Sequence, residues 1–293
     1  MKYKASHVAE YVLLQSITGL VKALPHRAAL AVGWFFARVA YCFMGAKIKT
    51  VKARIRQVLG QELPERNVRR IAWLAWLSLA FNAIEMMRTP IITLDWIKTH
   101  VEHKAIYPFL DHIRQGRGAV LAVPHMGNWE LAGVGAQLFG ARIMIIVRRQ
   151  KNLLTDALMN RMREHTGIDA FYTRSKELLE IPERMKKGQV LAILPDLRAK
   201  TDEVRVQFLG HEADIPSGMA RFAREAGVPI IPAAAIRTGW TRHRWESFEP
   251  IEPDPNLDEA SDIRRMTQHV MNAFDRAIRE HPDARALLLV NPT

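Results

Sequence analysis

The chain has 293 residues, 48% of them hydrophobic, with a formal net charge of +12 and a single cysteine. That length and apolar content sustain a large buried core and exclude a disordered, collagen-like or low-complexity chain. One thiol excludes an internal disulfide framework, and no Cys/His spacing of the metal-binding kind occurs.

The charge is concentrated at the start: residues 1–60 carry ten Lys/Arg and one acid, Glu10. Such a one-sided region suits anionic lipid, nucleic acid or an acidic protein. Tyr11 to Leu24 reads as an apolar helix stopped by Pro25. Residues 28–46 contain one charge, Arg38, and at about 1.5 Å rise per residue they nearly match the hydrocarbon thickness of a bilayer. A central arginine costs roughly 2.5–3.5 kcal/mol in that position. Three readings follow: a single span, a soluble helical cap, or a helix lying in the interface. The last would put Trp34, Phe35 and Phe36 into lipid and Lys47, Lys49 and Lys52 onto phosphates. Glu10 and the late start of the run argue against a signal peptide. Cys42, beside Tyr41, Phe43 and Met44, reads as a buried small hydrophobe. Residues 71–87 form a mostly apolar helix with a narrow polar stripe, Ser78, Asn82 and Glu85; Trp73, Trp76, Leu77 and Phe81 pack inward. It is read as a core helix, with a groove for an apolar chain as the alternative.

From residue 118 the pattern alternates. Apolar runs at 119–124, 142–147, 189–195, 204–208, 230–236 and 286–290 read as strands, and 128–139, 152–166, 175–187, 217–226 and 260–280 as helices. This predicts an α/β fold with a mostly parallel central sheet flanked by helices. The expected division is a helical, membrane-associating region over 1–115 and an α/β core over 116–293, continuous with it. Sites in such sheets form beyond the carboxyl ends of strands, where His125 and Asp196 both fall.

The segment HMGNWE (125–130) carries the chemistry. His125 follows its strand directly, Gly127 permits a tight turn, Asn128 can cap the next helix, and Glu130 enters its first turn. The spacing keeps His125 and Glu130 off one helical face, but an intervening turn can join them. A carboxylate on the imidazole would fix its tautomer and make His125 a general base. The plainer alternative is a histidine satisfied at a strand end, with Glu130 an ordinary first-turn charge. No G-x-S-x-G elbow occurs, so the proton would come from a bound hydroxyl or water.

HMGNWE resembles the histidine–four residues–glutamate motif of the bacterial lipid A biosynthesis (lauroyl/myristoyl) acyltransferases, within the wider glycerolipid acyltransferase superfamily. IIVRRQKN (145–152), RMREHTG (161–167), MKKGQVLAILPD (185–196) and VRVQFLGHEADIPSGMARFAREAGVPIIPAAAIR (204–237) resemble further family blocks in the same order. The resemblance implies transfer of a fatty acyl chain from an acyl carrier protein or coenzyme A thioester to a hydroxyl of a membrane lipid. A lipid A precursor is the first expectation; a lysophospholipid, glycolipid or aminolipid is the alternative. It implies His125 as base with Glu130 orienting it, Gly127 and Asn128 N–H groups as oxyanion donors, and Arg148, Arg149, Arg161 and Arg163 on acceptor phosphates. Asp196 is a further binding residue. No metal and no cofactor beyond the thioester co-substrate are expected, and nucleic acid is not an expected partner. The place of action would be the cytoplasmic face of the inner membrane. The chain departs from the family pattern at Asp196-Leu197, where members often have Asp-Gln, and in its last segment, ARALLLVNPT. The rivals are a metal-dependent hydrolase using His125, Glu130 and Asp196, and a non-catalytic membrane scaffold.

Overall fold

The computed structural model describes residues 3–198 and 201–282. Four helices come first: α1 (Ala5–Ala23), α2 (His26–Phe43), α3 (Gly45–Leu59) and α4 (Glu65–Arg88). Pro25 fixes its own φ and cannot continue α1, so the chain turns there into α2. The expected unbroken apolar helix over 28–46 is not what forms. Met44 leaves helical geometry (φ −99°, ψ 26°), and α3 departs from α2 at 94°. That bend lets α3 bury Val51, Ile55 and Val58 while Lys47 and Lys49 face outward and Lys52 and Arg56 pair with Glu65 of α4. No single described helix is long and apolar enough to cross a membrane, though the bent α2–α3 pair meets both criteria together.

Cys42 is also corrected: it is exposed, its thiol facing the Arg38 carbonyl (3.4 Å). The buried line of α2 is Ala29, Leu30, Gly33 and Ala37, and Cys42 lies off it. α4 packs on that line, Gly33 against Ile84. The Trp76 indole N–H donates to the Ala37 carbonyl (2.9 Å), and the Arg88 guanidinium donates to the Leu24 carbonyl (2.7 Å).

Next come α5 (Leu94–His100), a short β1 (Val101–Glu102) and α6 (Ile106–Arg114). The alternating part follows: β2 (Ala119–Ala122), α7 (Trp129–Leu138), β3 (Ile143–Val147), α8 (Leu153–Glu164), β4 (Asp169–Tyr172), α9 (Ile181–Lys186) and β5 (Val190–Ile193). A hairpin of β6 (Glu203–Phe208) and β7 (His211–Pro216) precedes α10 (Gly218–Ala226), β8 (Ile230–Arg237), β9 (His243–Ser247) and α11 (Glu259–Glu280).

The main sheet has seven strands in the order β1-β9-β8-β2-β5-β3-β4, parallel except where β9 runs against β8. The sequence pattern missed β1, β4 and β9. The run 204–208 is a strand but not of this sheet: β6 pairs antiparallel with β7. Its inward residues Val206 and Phe208 join the core cluster that contains Met266 and Val270 of α11. The run 286–290 lies outside the described residues. β2 is central and fully buried: Val120 and Ala122 face one helical layer, Ala119, Leu121 and Val123 the other. A strand covered on both faces must be apolar at every position, which is why 119–124 reads so clearly.

β2 is also where the topology switches. After β2 the chain passes over β5 to reach β3, whereas after β5 it returns across β2 to β8. The crevice such a reversal leaves lies beyond the carboxyl ends of β2 and β5.

Candidate functional site

β2 and β5 pair in parallel, Ala119 with Val190 through Ala122 with Ile193. Each strand continues in the same register through one more apolar residue into a proline, AVLAVPH against VLAILPD. Proline has no N–H to extend a ladder, so both strands stop at the same height. The next residue in one is His125, in the other Asp196. The His125 Nδ1–H donates to Asp196 Oδ1 (2.6 Å), and the His125 backbone N–H donates to Oδ2 (3.0 Å). An ionised carboxylate only accepts, so the ring proton sits on Nδ1 and the Nε2 lone pair is left for a substrate. The Asp196 side chain is fully buried, while the imidazole keeps 13% of its surface exposed. Trp129 covers one side of the ring, edge-on at 5.0 Å between centroids.

Glu130 stands elsewhere. From the first turn of α7 its carboxylate accepts from Arg163 of α8 (3.4 Å), and no hydrogen bond joins it to His125. The carboxylate that touches the ring is Asp196. Arg161 reaches the Tyr11 hydroxyl of α1 (3.4 Å). Arg148 and Arg149 leave the end of β3 exposed, with Arg149 over the Tyr172 ring (4.4 Å).

The turn after His125 is held from two sides. Gly127 has φ +54°, and a Cβ there would lie 2.0 Å from the Ala235 carbonyl oxygen of β8. Only glycine permits both the conformation and the approach. From α4, the Asn82 amide donates to the Gly127 carbonyl (2.5 Å), and Glu85 accepts from the Asn128 amide (2.6 Å). Asn128 meanwhile caps α7, its Oδ1 accepting from the Leu131 N–H (2.9 Å). Arg237, at the end of β8, grips Glu85 with both terminal nitrogens (3.1 and 2.5 Å) and Asn82 Oδ1 with one (3.0 Å). His243 and His26 also reach the Glu85 carboxylate, at 3.3 and 3.2 Å. Burial alone would raise the Glu85 carboxyl, but Arg237 and the two histidines outweigh it and hold it well below the ordinary range. Burial pushes the His243 imidazole below its usual value despite that carboxylate. Sequence reasoning had the stripe Ser78-Asn82-Glu85 but not its task. His243 and His26 carried no signal beyond their type, and Arg237 stood only as the arginine that ends the strand of the family-like block 204–237.

Under α6 and α7 lies a small apolar cavity of about 50 Å³, lined by Phe109, Leu121, Val123, Ala132, Ala136 and Trp245 among others. Val123 is two residues before His125. The Trp245 ring abuts Gly135, its nearest atom 2.2 Å from where a Cβ would be. Among the described residues one group has the spacing to hold a metal ion, Glu246, Glu280 and His281; it contains none of His125, Glu130 and Asp196.

The family model for bacterial lipid A biosynthesis acyltransferase matches residues 2–289. The phosphatidylinositol mannoside acyltransferase of Mycolicibacterium smegmatis is 26% identical over 273 residues, 90% of this chain and 84% of the relative. That of Mycobacterium tuberculosis strain H37Rv is 29% identical over 182 residues, 59% of this chain and 55% of the relative.

Proposed function

This chain belongs to the bacterial lipid A biosynthesis acyltransferase family, and from that premise we propose that it moves a fatty acyl chain from a thioester of acyl carrier protein or coenzyme A to a sugar hydroxyl of a phosphorylated membrane glycolipid. Lipid A precursors and phosphatidylinositol mannosides are both of that class; the family's name points to the first and the relatives' names to the second. The observation that carries the reading is the His125–Asp196 pair, with a free Nε2 at the mouth of the switch-point crevice.

The step follows from that geometry. The acceptor hydroxyl gives its proton to His125 Nε2, and its oxygen attacks the thioester carbonyl. Asp196, buried against the ring, stabilises the imidazolium and keeps the ring's orientation. The tetrahedral oxyanion takes N–H groups of Gly127 and Asn128 at the start of α7. Collapse breaks the C–S bond, and the leaving thiolate takes the proton back from His125. Glu130 positions Arg163 rather than the imidazole, and Arg163, Arg161, Arg148 and Arg149 offer guanidinium forks to acceptor phosphate. The alkyl chain enters along the apolar lining beside Val123.

The lipid surface is read from α1 and α2. Eleven of the sixteen exposed large hydrophobic side chains among the described residues lie between Tyr3 and Phe43, including Phe35, Phe36 and Phe43. A soluble surface seldom gathers such a patch, and the basic residues flanking it suit anionic headgroups. The working position is therefore the cytoplasmic leaflet, where thioester donors are made. The test is lipid mass spectrometry of cells with and without the protein. A species one acyl mass heavier in its presence names acceptor and chain together; an unchanged phosphoglycolipid profile contradicts the reading.

A further inference from the structure

We propose that Asn82 is a positioning residue for the transfer, because its grip on the Gly127 carbonyl, locked by Arg237 and Glu85, sets the direction of the Asn128 N–H that receives the oxyanion. The inference rests on the reaction proposed above and deepens it.

The Gly127 carbonyl and the Asn128 N–H belong to one peptide unit. In a planar trans peptide the two point in opposite directions, so fixing one fixes the other. Asn82 holds the oxygen toward α4 (2.5 Å), which turns the Asn128 N–H away from α4. The adjacent side chain of the same residue is tied to Glu85 (2.6 Å) and to the Leu131 N–H (2.9 Å). The other side of Gly127 rests on the β8 backbone. The peptide has no freedom to rotate.

Asn82 is itself clamped: its Oδ1 accepts from Arg237, whose other bonds go to Glu85 and to the Trp240 carbonyl. Packing alone does not need this arrangement. A carboxylate, a guanidinium and two imidazoles out of water cost more than apolar side chains of similar volume, and such ion clusters add little to stability. What the cluster supplies is a defined geometry at Gly127 and Asn128. Ser78, one turn earlier on the same stripe and equally buried, has no hydrogen-bond partner; burial of a polar group on this face of α4 does not by itself reach the turn.

The test uses the full chain with radiolabelled palmitoyl-coenzyme A and palmitoyl-acyl carrier protein. Vesicles carry phosphatidylinositol mannoside in one arm and a lipid A precursor in the other. Wild type, His125→Ala, Asn82→Ala, Asn82→Ser and Ser78→Ala are compared for kcat, thioester KM and melting temperature. Loosening an oxyanion donor without deleting it lowers kcat by roughly 10–100-fold. Both Asn82 variants are expected to show that loss with KM within about threefold, folding intact and Ser78→Ala unchanged. The inference is overturned if either folded Asn82 variant keeps wild-type kcat, or if kcat falls only in proportion to lost folded protein. An inactive wild type in both arms overturns the proposed reaction and this inference with it, whereas an active wild type beside an equally active Asn82→Ala overturns the inference alone.

Discussion

Two regions that meet on α4 treat polarity in opposite ways. Beside the turn after β2, the protein joins Glu85, Asn82, Arg237, His243 and Asn128 in one largely buried hydrogen-bonded cluster, and buries Asp196 under His125. On α1 and α2, packed against the other side of α4, it leaves Leu13, Phe35, Phe36 and Phe43 in solvent, Phe43 at 85%. Each choice opposes folding stability by itself. Buried charges lose hydration, and exposed aromatics forgo burial worth about 1.5–3 kcal/mol per side chain. On the proposed reading both choices serve function: a polar site where chemistry needs direction, and an apolar face where a lipid surface supplies the missing burial.

The contrast breaks most severely at the buried end. Asp196→Asn leaves the shape but offers one acceptor oxygen to two donors, the His125 backbone N–H and Nδ1–H, and no charge to stabilise the imidazolium; transfer is expected to fall roughly 10²–10⁴-fold, read as kcat on folded protein. At the exposed end, Phe35→Ser, Phe36→Ser and Phe43→Ser together should leave the fold and the intrinsic chemistry unchanged. Vesicle binding in a pelleting assay should drop at least about tenfold; unchanged pelleting would remove the lipid-facing role of α2. The cavity is a third region, lined from α6, α7 and the sheet. Trp245→Phe shortens the ring that closes it over Gly135, and the preferred donor should lengthen. Each added methylene contributes about 0.8 kcal/mol, roughly three- to fourfold in competition between thioesters of different length.

The smallest effect sharpens the comparison through pH. His243 and Glu85 both have folded-state values below their ordinary 6.5 and 4.5. The unfolded chain therefore binds more protons in acid, and stability rises with pH over those ranges. The melting temperature should be flat above about pH 7, decline as pH falls through 6.5, and decline further below 4.5. His243→Gln should remove the first decline and keep the second. A decline that begins at the same pH in that variant would place its cause elsewhere.

What the sequence disclosed follows the same physics. β2 and β5 were legible because a strand buried on both faces must be continuously apolar. β4 and β9 were not, since Asp169-Ala-Phe-Tyr172 and His243-Arg-Trp-Glu-Ser247 mix polar and apolar residues. β6 read correctly as a strand, but nothing local says whether a strand joins a main sheet or folds onto its neighbour. His125 was identified from its motif, and the motif directed attention to Glu130. Asp196 is 71 residues away, and only register brings it to the ring. The signal was present in the two strings AVLAVPH and VLAILPD, which end alike in proline and a titratable residue. The stripe on α4 was visible as a pattern. Its partners on β8 and β9 are joined to it by long-range packing that no periodicity encodes.

The central claim is that His125, held by Asp196, takes the acceptor's proton. It is tested most directly by His125→Ala assayed for acyl transfer with and without added imidazole. The account predicts a folded protein with transfer lost by roughly 10²–10⁴-fold and partly restored by free imidazole. Wild-type transfer from folded His125→Ala would contradict it.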